Sequence, residues 1–131
     1  MVKRHIAFGL TLTGHDELEP NASTNAERIE AMRKLHEAGF KTWASIDPII
    51  DFESSSDMIG ATMDFCDLYK FGLESGKKYD RKELFSFIEN ILLQVKSKIY
   101  FKDSLLKQAG ISRSELPDNC VDRDFNLING K

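Results

Sequence analysis

The stretch KTWASIDPIID, residues 41–51, decides the fold class of this chain. It begins as a β-prone, mostly apolar run, which predicts a buried strand, and it turns polar around Pro48. The same change occurs in IAFGLTLTGHD (6–16) and in LYKFGLESGKK (68–78). Strands that become polar at their carboxyl ends are typical of parallel α/β sheets, in which functional groups collect at that edge.

Helix signals separate these runs. Thr24 and Glu27 form a capping-box pattern, in which a hydroxyl and a carboxylate satisfy the first free N–H groups of a helix. Asp80 opens a later helix whose apolar residues recur on one face, at Leu84, Ile88, Ile91, Leu92 and Val95. The predicted strands are 6–12, 42–46, 68–73 and 99–101, and the predicted helices begin at Thr24, at 54–57, at Asp80 and at Ser104.

This order of elements is βαβαβα followed by a short strand and a short helix. It predicts an α/β fold whose parallel sheet is built from consecutive βα units with right-handed crossovers. We expect strand 6–12 to be buried on both faces. We divide the chain into a βα domain, residues 1–111, and a polar C-terminal tail, residues 112–131, which is expected to pack loosely.

Length and composition limit the class of protein. The chain has 131 residues, of which 41% are hydrophobic and 30% charged, as in one soluble globular domain. The net charge of −3 and the lack of a basic stripe give no indication of nucleic-acid binding. No apolar run reaches the roughly 18 residues needed to span a membrane, and the N-terminus lacks the apolar core of a signal peptide. We therefore expect a cytoplasmic protein.

The metal-binding residue types are sparse. Cys66 lies on an apolar helical face and is expected in the core, whereas Cys120 lies in the polar tail. Two isolated thiols do not match the paired spacing of zinc or iron–sulfur sites. The run His15–Glu19 holds metal-capable side chains but no second histidine at a ligand spacing. We predict no metal site.

The polar strand ends allow two interpretations. Asp47 and Asp51 are either a carboxylate pair for acid–base or ligand-binding work, or a strand end followed by a helix cap. Trp43 is either a core aromatic or a ring on which a ligand stacks. The glycines at 72 and 76 are spaced one residue too closely for a phosphate-binding loop, and Lys78 stands where a magnesium-binding hydroxyl is needed.

Two stretches resemble the second half of a radical S-adenosylmethionine (SAM) core. They are GLTLTGHDELEPNAST, residues 9–24, and RIEAMRKLHEAGFKTWASIDPIID, residues 28–51. The matching pattern is a strand ending in Thr-x-Thr-Gly, a helix with Arg-Ile, Leu-His and Gly, and a strand ending in a Ser-Ile-Glu-Pro type motif. The likeness is to the spore-photoproduct-lyase-like and phage-associated branches, and it covers roughly residues 6–110. It implies half of a partial (β/α)6 TIM-like barrel.

The resemblance also assigns site residues. Thr11 and Thr13 would lie near the methionine and ribose parts of SAM, and Ser45 with Asp47 would line its adenosine side. Glu74 would lie at the rim of the last strand, and Lys102 would face the same opening. The full list of implied cofactor-binding residues is therefore Thr11, Thr13, Ser45, Asp47, Glu74 and Lys102.

Two departures from the family pattern limit what the chain does alone. Asp47 stands where the pattern has Glu, so its carboxylate is one methylene shorter. The Cys-x3-Cys-x2-Cys loop that binds the [4Fe–4S] cluster is missing, so SAM and the cluster are expected only in an intact parent enzyme. We expect this chain to be a fragment or truncated relative of such an enzyme, inactive alone, that joins a missing N-terminal half or pairs with itself through an exposed sheet edge. The alternative is a self-sufficient small α/β module for metabolite binding or assembly.

Overall fold

A computed structural model describes residues 5–131, and its centre is a four-stranded parallel sheet in the order β1-β2-β3-β4. The strands are β1 (Ala7–Thr11), β2 (Lys41–Ile49), β3 (Leu68–Leu73) and β4 (Lys98–Phe101). The helices are α1 (Asn25–Glu37), α2 (Phe52–Thr62), α3 (Arg81–Gln94) and α4 (Asp103–Ala109). The α/β class and the parallel sheet of consecutive βα units are confirmed.

Side-chain caps fix where the helices begin. Thr24 and Glu27 form the predicted capping box of α1, and Asp80 accepts a hydrogen bond from the backbone of Glu83 at the start of α3. The prediction for α2 was wrong by one turn. Its cap is Asp51 rather than residues 54–57, because the Asp51 carboxylate accepts from the Ser54 N–H at 2.7 Å.

Two strands differ from their predictions. β2 continues through the cis Asp47–Pro48 bond to Ile49, and its pairing with β3 shifts register between Ile46 and Ile49. A proline fits within a strand at such an irregularity because no ladder hydrogen bond is demanded of its nitrogen. β1 is not buried on both faces, since it is an edge strand with Phe8 38% exposed.

All four helices cover the same face of the sheet. Strands that follow one another in spatial order through right-handed crossovers place every crossover helix on one side. The helix residues Met32, Ile59 and Ile88 join one buried cluster with strand residues that share a face by register. The buried residues of this covered face are Leu12, Thr42, Ala44, Ile46, Tyr69, Phe71, Ile99 and Phe101. The predicted α3 stripe is confirmed in its burial, at Leu84, Ile88, Ile91 and Val95.

The opposite side, here called the open face, carries no α-helix among residues 5–131, although the tail contacts its β4 side, where Arg113 lies over the Tyr100 ring and Phe125 lies near Lys98. Register places Gly9 beside Trp43, Leu68 and Lys98 in one row. The next row, toward the carboxyl edge, consists of Thr11, Ser45, Lys70 and Tyr100. Most of these side chains are polar and partly accessible, in contrast to the covered face.

The two edges of the sheet differ. Beside β4, the Ile99 N–H donates to Asn119 and the Ile99 carbonyl accepts from Val121, at 3.0 and 2.8 Å. Arg113 donates to the Phe101 carbonyl at 2.7 Å, so the tail is hydrogen-bonded to β4 at Arg113, Asn119 and Val121. No strand within residues 5–131 pairs with the outer edge of β1. No helix in this part of the chain is long and apolar enough to cross a membrane.

Candidate functional site

The carboxyl edge of the open face is the candidate functional site. Thr11 and Ser45 are register partners on β1 and β2, and Asp47 lies two residues beyond Ser45. Lys102 follows β4 directly, and its side chain reaches the Asp47 carboxylate. The structure therefore brings Asp47 and Lys102 into contact from opposite sides of β3, although they are far apart in sequence.

The Asp47–Lys102 ion pair is the best-defined feature of this site. Lys102 Nζ lies 2.5 Å from Asp47 Oδ2, and the side chains are 51% and 24% exposed. The hydrogen bond and the negative charge of Asp47 raise the pKa of the Lys102 ammonium. The carboxylate is consequently a positioned acceptor with a bound countercharge, still accessible to a ligand.

Gly72 allows the Asp47 carboxylate to lie across β3. A Cβ on Gly72 would stand only 2.5 Å from Asp47 Cγ, closer than two such atoms approach. No other residue type fits at this strand position without displacing the carboxylate. Gly72 was the signal in the sequence for this contact. A glycine in a strand does not, however, indicate which side chain occupies the space beside it.

Trp43 occupies the open face between β1 and β3. A Cβ on Gly9 would lie 2.0 Å from the indole Cε2, so the ring rests against the Gly9 backbone. Lys70 Nζ lies 4.3 Å from the ring centroid, a cation–π distance. The indole therefore lies outside the helix-covered core, and its ring is already in contact with Gly9 and Lys70.

A second polar cluster joins the β1–α1 loop to the start of α2. His15 Nε2 lies 2.5 Å from Asp51 Oδ2, and His15 Nδ1 lies 2.7 Å from Glu17 Oε2. The imidazolium donates hydrogen bonds to both carboxylates, and these bonds raise the pKa of the His15 imidazole, with Glu17 contributing most and Asp51 next. Asp51 also caps α2, so this member of the predicted carboxylate pair is a helix cap, and it does not pair with Asp47. We call His15, Glu17 and Asp51 the loop latch.

The other predicted residues take different positions. The Thr13 hydroxyl accepts a hydrogen bond from the His15 N–H at 3.1 Å, within the same loop. Glu74 follows β3 and is exposed, and its N–H donates to the Tyr79 hydroxyl at 3.0 Å. Tyr79 in turn donates to the Ile49 carbonyl at 2.5 Å. Thr13 and Glu74 thus both lie at the carboxyl edge, and neither side chain contacts the Asp47–Lys102 pair.

The described residues do not fit an iron–sulfur cluster. No group of three histidine, cysteine or acidic side chains converges within residues 5–131. Cys66 is buried, and burial raises the pKa of its thiol to about 12, which opposes the thiolate that a metal requires. Burial also raises the pKa of the partly buried Cys120 to about 11.

A surface depression also lies away from the open face. It encloses about 700 Å³ between α2 and α3, in the helix layer. Its lining mixes charged, polar and aromatic side chains: Phe52, Glu53, Ser56, Lys82, Glu83, Ser86, Phe87 and Asn90. These side chains include none of the ion pairs or perturbed ionisable groups described above, so we place the candidate site on the open face.

Comparison with known proteins gives a partial match to a relative without a stated activity. No protein-family model matches the chain, and no solved structure matches it. An uncharacterized protein from Methanocaldococcus jannaschii is 36% identical over 72 residues. The match covers 50% of this chain and only 28% of that protein. The chain thus spans less than a third of a relative whose description gives no activity.

Proposed function

We propose that this chain is one part of a radical SAM-type partial barrel and that the open face forms a wall of the cofactor and substrate cleft. The observation that carries the proposal is the one-sided sheet. Its helices cover one face, and the other face ends in Asp47 and Lys102 at the carboxyl edge. In barrels of βα units, the face without helices is the interior, and ligands bind at the carboxyl ends of the strands.

The strand order supports the barrel component of this proposal. Four parallel strands follow one another in space, with no reversal of direction along the sheet. A doubly wound sheet reverses at a switch point and is covered on both faces. A sheet that winds in one direction is instead the arrangement from which a partial (β/α)6 barrel would be built by adding further βα units beside β1.

The proposed roles follow from the contacts. Asp47 accepts a hydrogen bond from a ribose hydroxyl or an amino group of SAM, with Lys102 holding its carboxylate in place. Ser45 and Thr11 supply neighbouring hydroxyls on the same row of the open face. Thr13 and Glu74 shape the rim. The chain binds and orients in this proposal, and it performs no catalytic step alone.

The iron–sulfur cluster would come from another polypeptide segment. When bound, such a cluster supplies the electron that cleaves SAM. The two thiols described above do not fit it, so the Cys-x3-Cys-x2-Cys loop must belong to a partner or to a preceding segment. We also propose a cytoplasmic location, where such a partner would be made.

The test is to restore the missing part by co-expression or fusion with a segment that carries the cysteine loop. Affinity for SAM is then compared between the wild type, Asp47→Asn and the control Asp57→Asn, which removes an exposed carboxylate from α2. We expect Asp47→Asn to weaken binding about tenfold, the effect of losing one charge-assisted hydrogen bond. Equal affinities for SAM in all three proteins would contradict a cofactor site at Asp47 on the open face.

No strand within residues 5–131 pairs with the outer edge of β1, and this edge favours a second candidate function, a self-sufficient assembly module. The outer edge of β4 is already bonded to residues 119–121, so β1 is the side on which a partner strand adds. Sedimentation of the isolated chain over a wide concentration range tests this. A concentration-dependent dimer supports the module, and a monomer throughout contradicts self-pairing.

A further inference from the structure

We propose that the open face binds a small phosphate-bearing anion at Lys70, with Lys102 and Arg113 at the sides of the site. This inference rests on the proposed function only in taking the open face as a ligand wall. It names the class of the second ligand in that cleft. SAM itself carries a cationic sulfonium, so a lysine-lined face suits a different molecule.

The charged side chains of the strands lie on the open face. The chain carries a net charge of −3, yet the lysines of the strands, Lys41, Lys70 and Lys98, all lie on the open face. Lys102 follows directly after β4. The only acidic residue within the described strands is Asp47. An acidic protein that presents its strand lysines on the face without α-helices attracts anions to that face.

Lys70 lies at the centre of this surface and is oriented by its neighbours. The Trp43 ring lies 4.3 Å from its ammonium, which keeps the side chain over β2. Within residues 5–131 no carboxylate forms an ion pair with Lys70. Its register partners are Ser45 and Tyr100, whose hydroxyls can donate to phosphate oxygens.

Two further cations border the same position. Arg113 Cζ lies 5.4 Å from the Tyr100 ring centroid, and Lys102 lies two residues beyond Tyr100, about 7 Å along the strand. Each has an acidic neighbour, because Asp103 accepts from Arg113 at 2.7 Å and Asp47 pairs with Lys102. The two pairs are locally neutral, so Lys70 is the cation that remains for a ligand.

The contacts favour a phosphate group over a planar ring. Lysine binds phosphate as a point charge, and hydroxyl donors complete the coordination. The Trp43 indole already contacts the Gly9 backbone and the Lys70 ammonium, so a ligand base has no bare aromatic surface there. A small phosphorylated metabolite fits this surface better than a polymer that needs successive stacking rings.

The experiment uses the whole chain and its single tryptophan. Pyrophosphate and ribose 5-phosphate are titrated at constant ionic strength, with ribose as the uncharged control. We expect Trp43 emission to change with the two phosphates only, with a Kd on the order of 1 mM for a few charge-assisted contacts. Amide NMR shifts should map to Ser45, Lys70 and Tyr100.

Two matched variants separate a site from general attraction. Lys70→Met should weaken phosphate binding at least fivefold by calorimetry, whereas Lys82→Met, which removes an exposed lysine from α3, should leave it unchanged. Equal loss in both, shifts confined to the helix layer, or tight binding of a single-stranded oligonucleotide with weak phosphate binding would overturn the proposal. Because SAM affinity through Asp47 is measured separately in the restored assembly, either proposal can fail without the other.

Discussion

The two faces of the sheet come from the same strands and differ in almost every property. Ile46 and Phe71 are inaccessible under the helices, while their neighbours Ser45 and Lys70 are partly accessible on the open face. A sheet covered on both faces would have apolar residues in both sets. The alternation within β2, together with the contrast between Lys70 and Phe71 in β3, therefore indicates that the α-helices cover one side only and that polar side chains occupy the other.

The largest expected effect comes from truncating a side chain on the covered face, and its neighbour on the open face serves as the comparison. Phe71→Ala should lower the free energy of unfolding by about 3–5 kcal/mol, because the ring packs on Phe101 at 5.4 Å within the core. Lys70→Ala, one residue away, should cost no more than about 1 kcal/mol through its lost cation–π contact. Urea unfolding measures both. Similar costs would mean that the two faces are equally packed.

The helix layer gives the next effect. Ile91→Ala should cost about 2–5 kcal/mol, since Ile91 is 3% exposed in the core cluster. Leu93, in the same helix, is 74% exposed, and Leu93→Ala should change stability by less than about 0.5 kcal/mol. An unmoved thermal transition for Ile91→Ala would contradict the layer arrangement.

Two glycine-to-alanine substitutions should change the free energy of unfolding in opposite directions. Gly72→Ala should destabilise the fold by about 1–3 kcal/mol, because its Cβ would stand 2.5 Å from Asp47 Cγ. Gly60, inside α2, has nothing within 4 Å of such a Cβ, so Gly60→Ala should stabilise by about 0.5–1 kcal/mol. Chemical denaturation measures the free energy of unfolding of both variants and shows whether each is stabilised or destabilised. A neutral Gly72→Ala would show that the carboxylate moves away freely.

The smallest effect is the pH dependence of the loop latch. The folded pKa of His15 is raised, so its contribution is complete below about pH 6.5 and is lost as pH rises through the folded pKa. The pKa values of Glu17 and Asp51 are lowered, so their contribution is lost as pH falls through those values. The latch is therefore strongest in mildly acidic solution.

The measurement compares urea midpoints of the wild type and His15→Asn at pH 5.5 and 8.5. We expect the difference between them to be larger at the lower pH. NMR titration of the His15 ring should show a pKa above its ordinary value of about 6.5. A pKa at or below that value, or a constant difference in midpoint, would mean that the latch does not form in solution.

Local signals in the sequence predicted the covered side well. The cap at Asp80 and strand 68–73 were right because each depends on neighbouring residues. The α2 cap was misplaced because Asp51 and Ser54 are both good caps, and only the fold selects between them. The contact of Asp47 with Lys102 depends on register across β3, which the sequence pattern does not supply.

The unequal edges of the sheet determine how copies of this chain can associate. Within residues 5–131, the β4 side already has bonds to Ile99 and Phe101, so only the β1 side of the described sheet can accept a strand from another molecule. Two copies that meet edge to edge at β1 use up both available edges at once. Such an association closes as a two-fold symmetric pair and has no edge left from which a filament could grow.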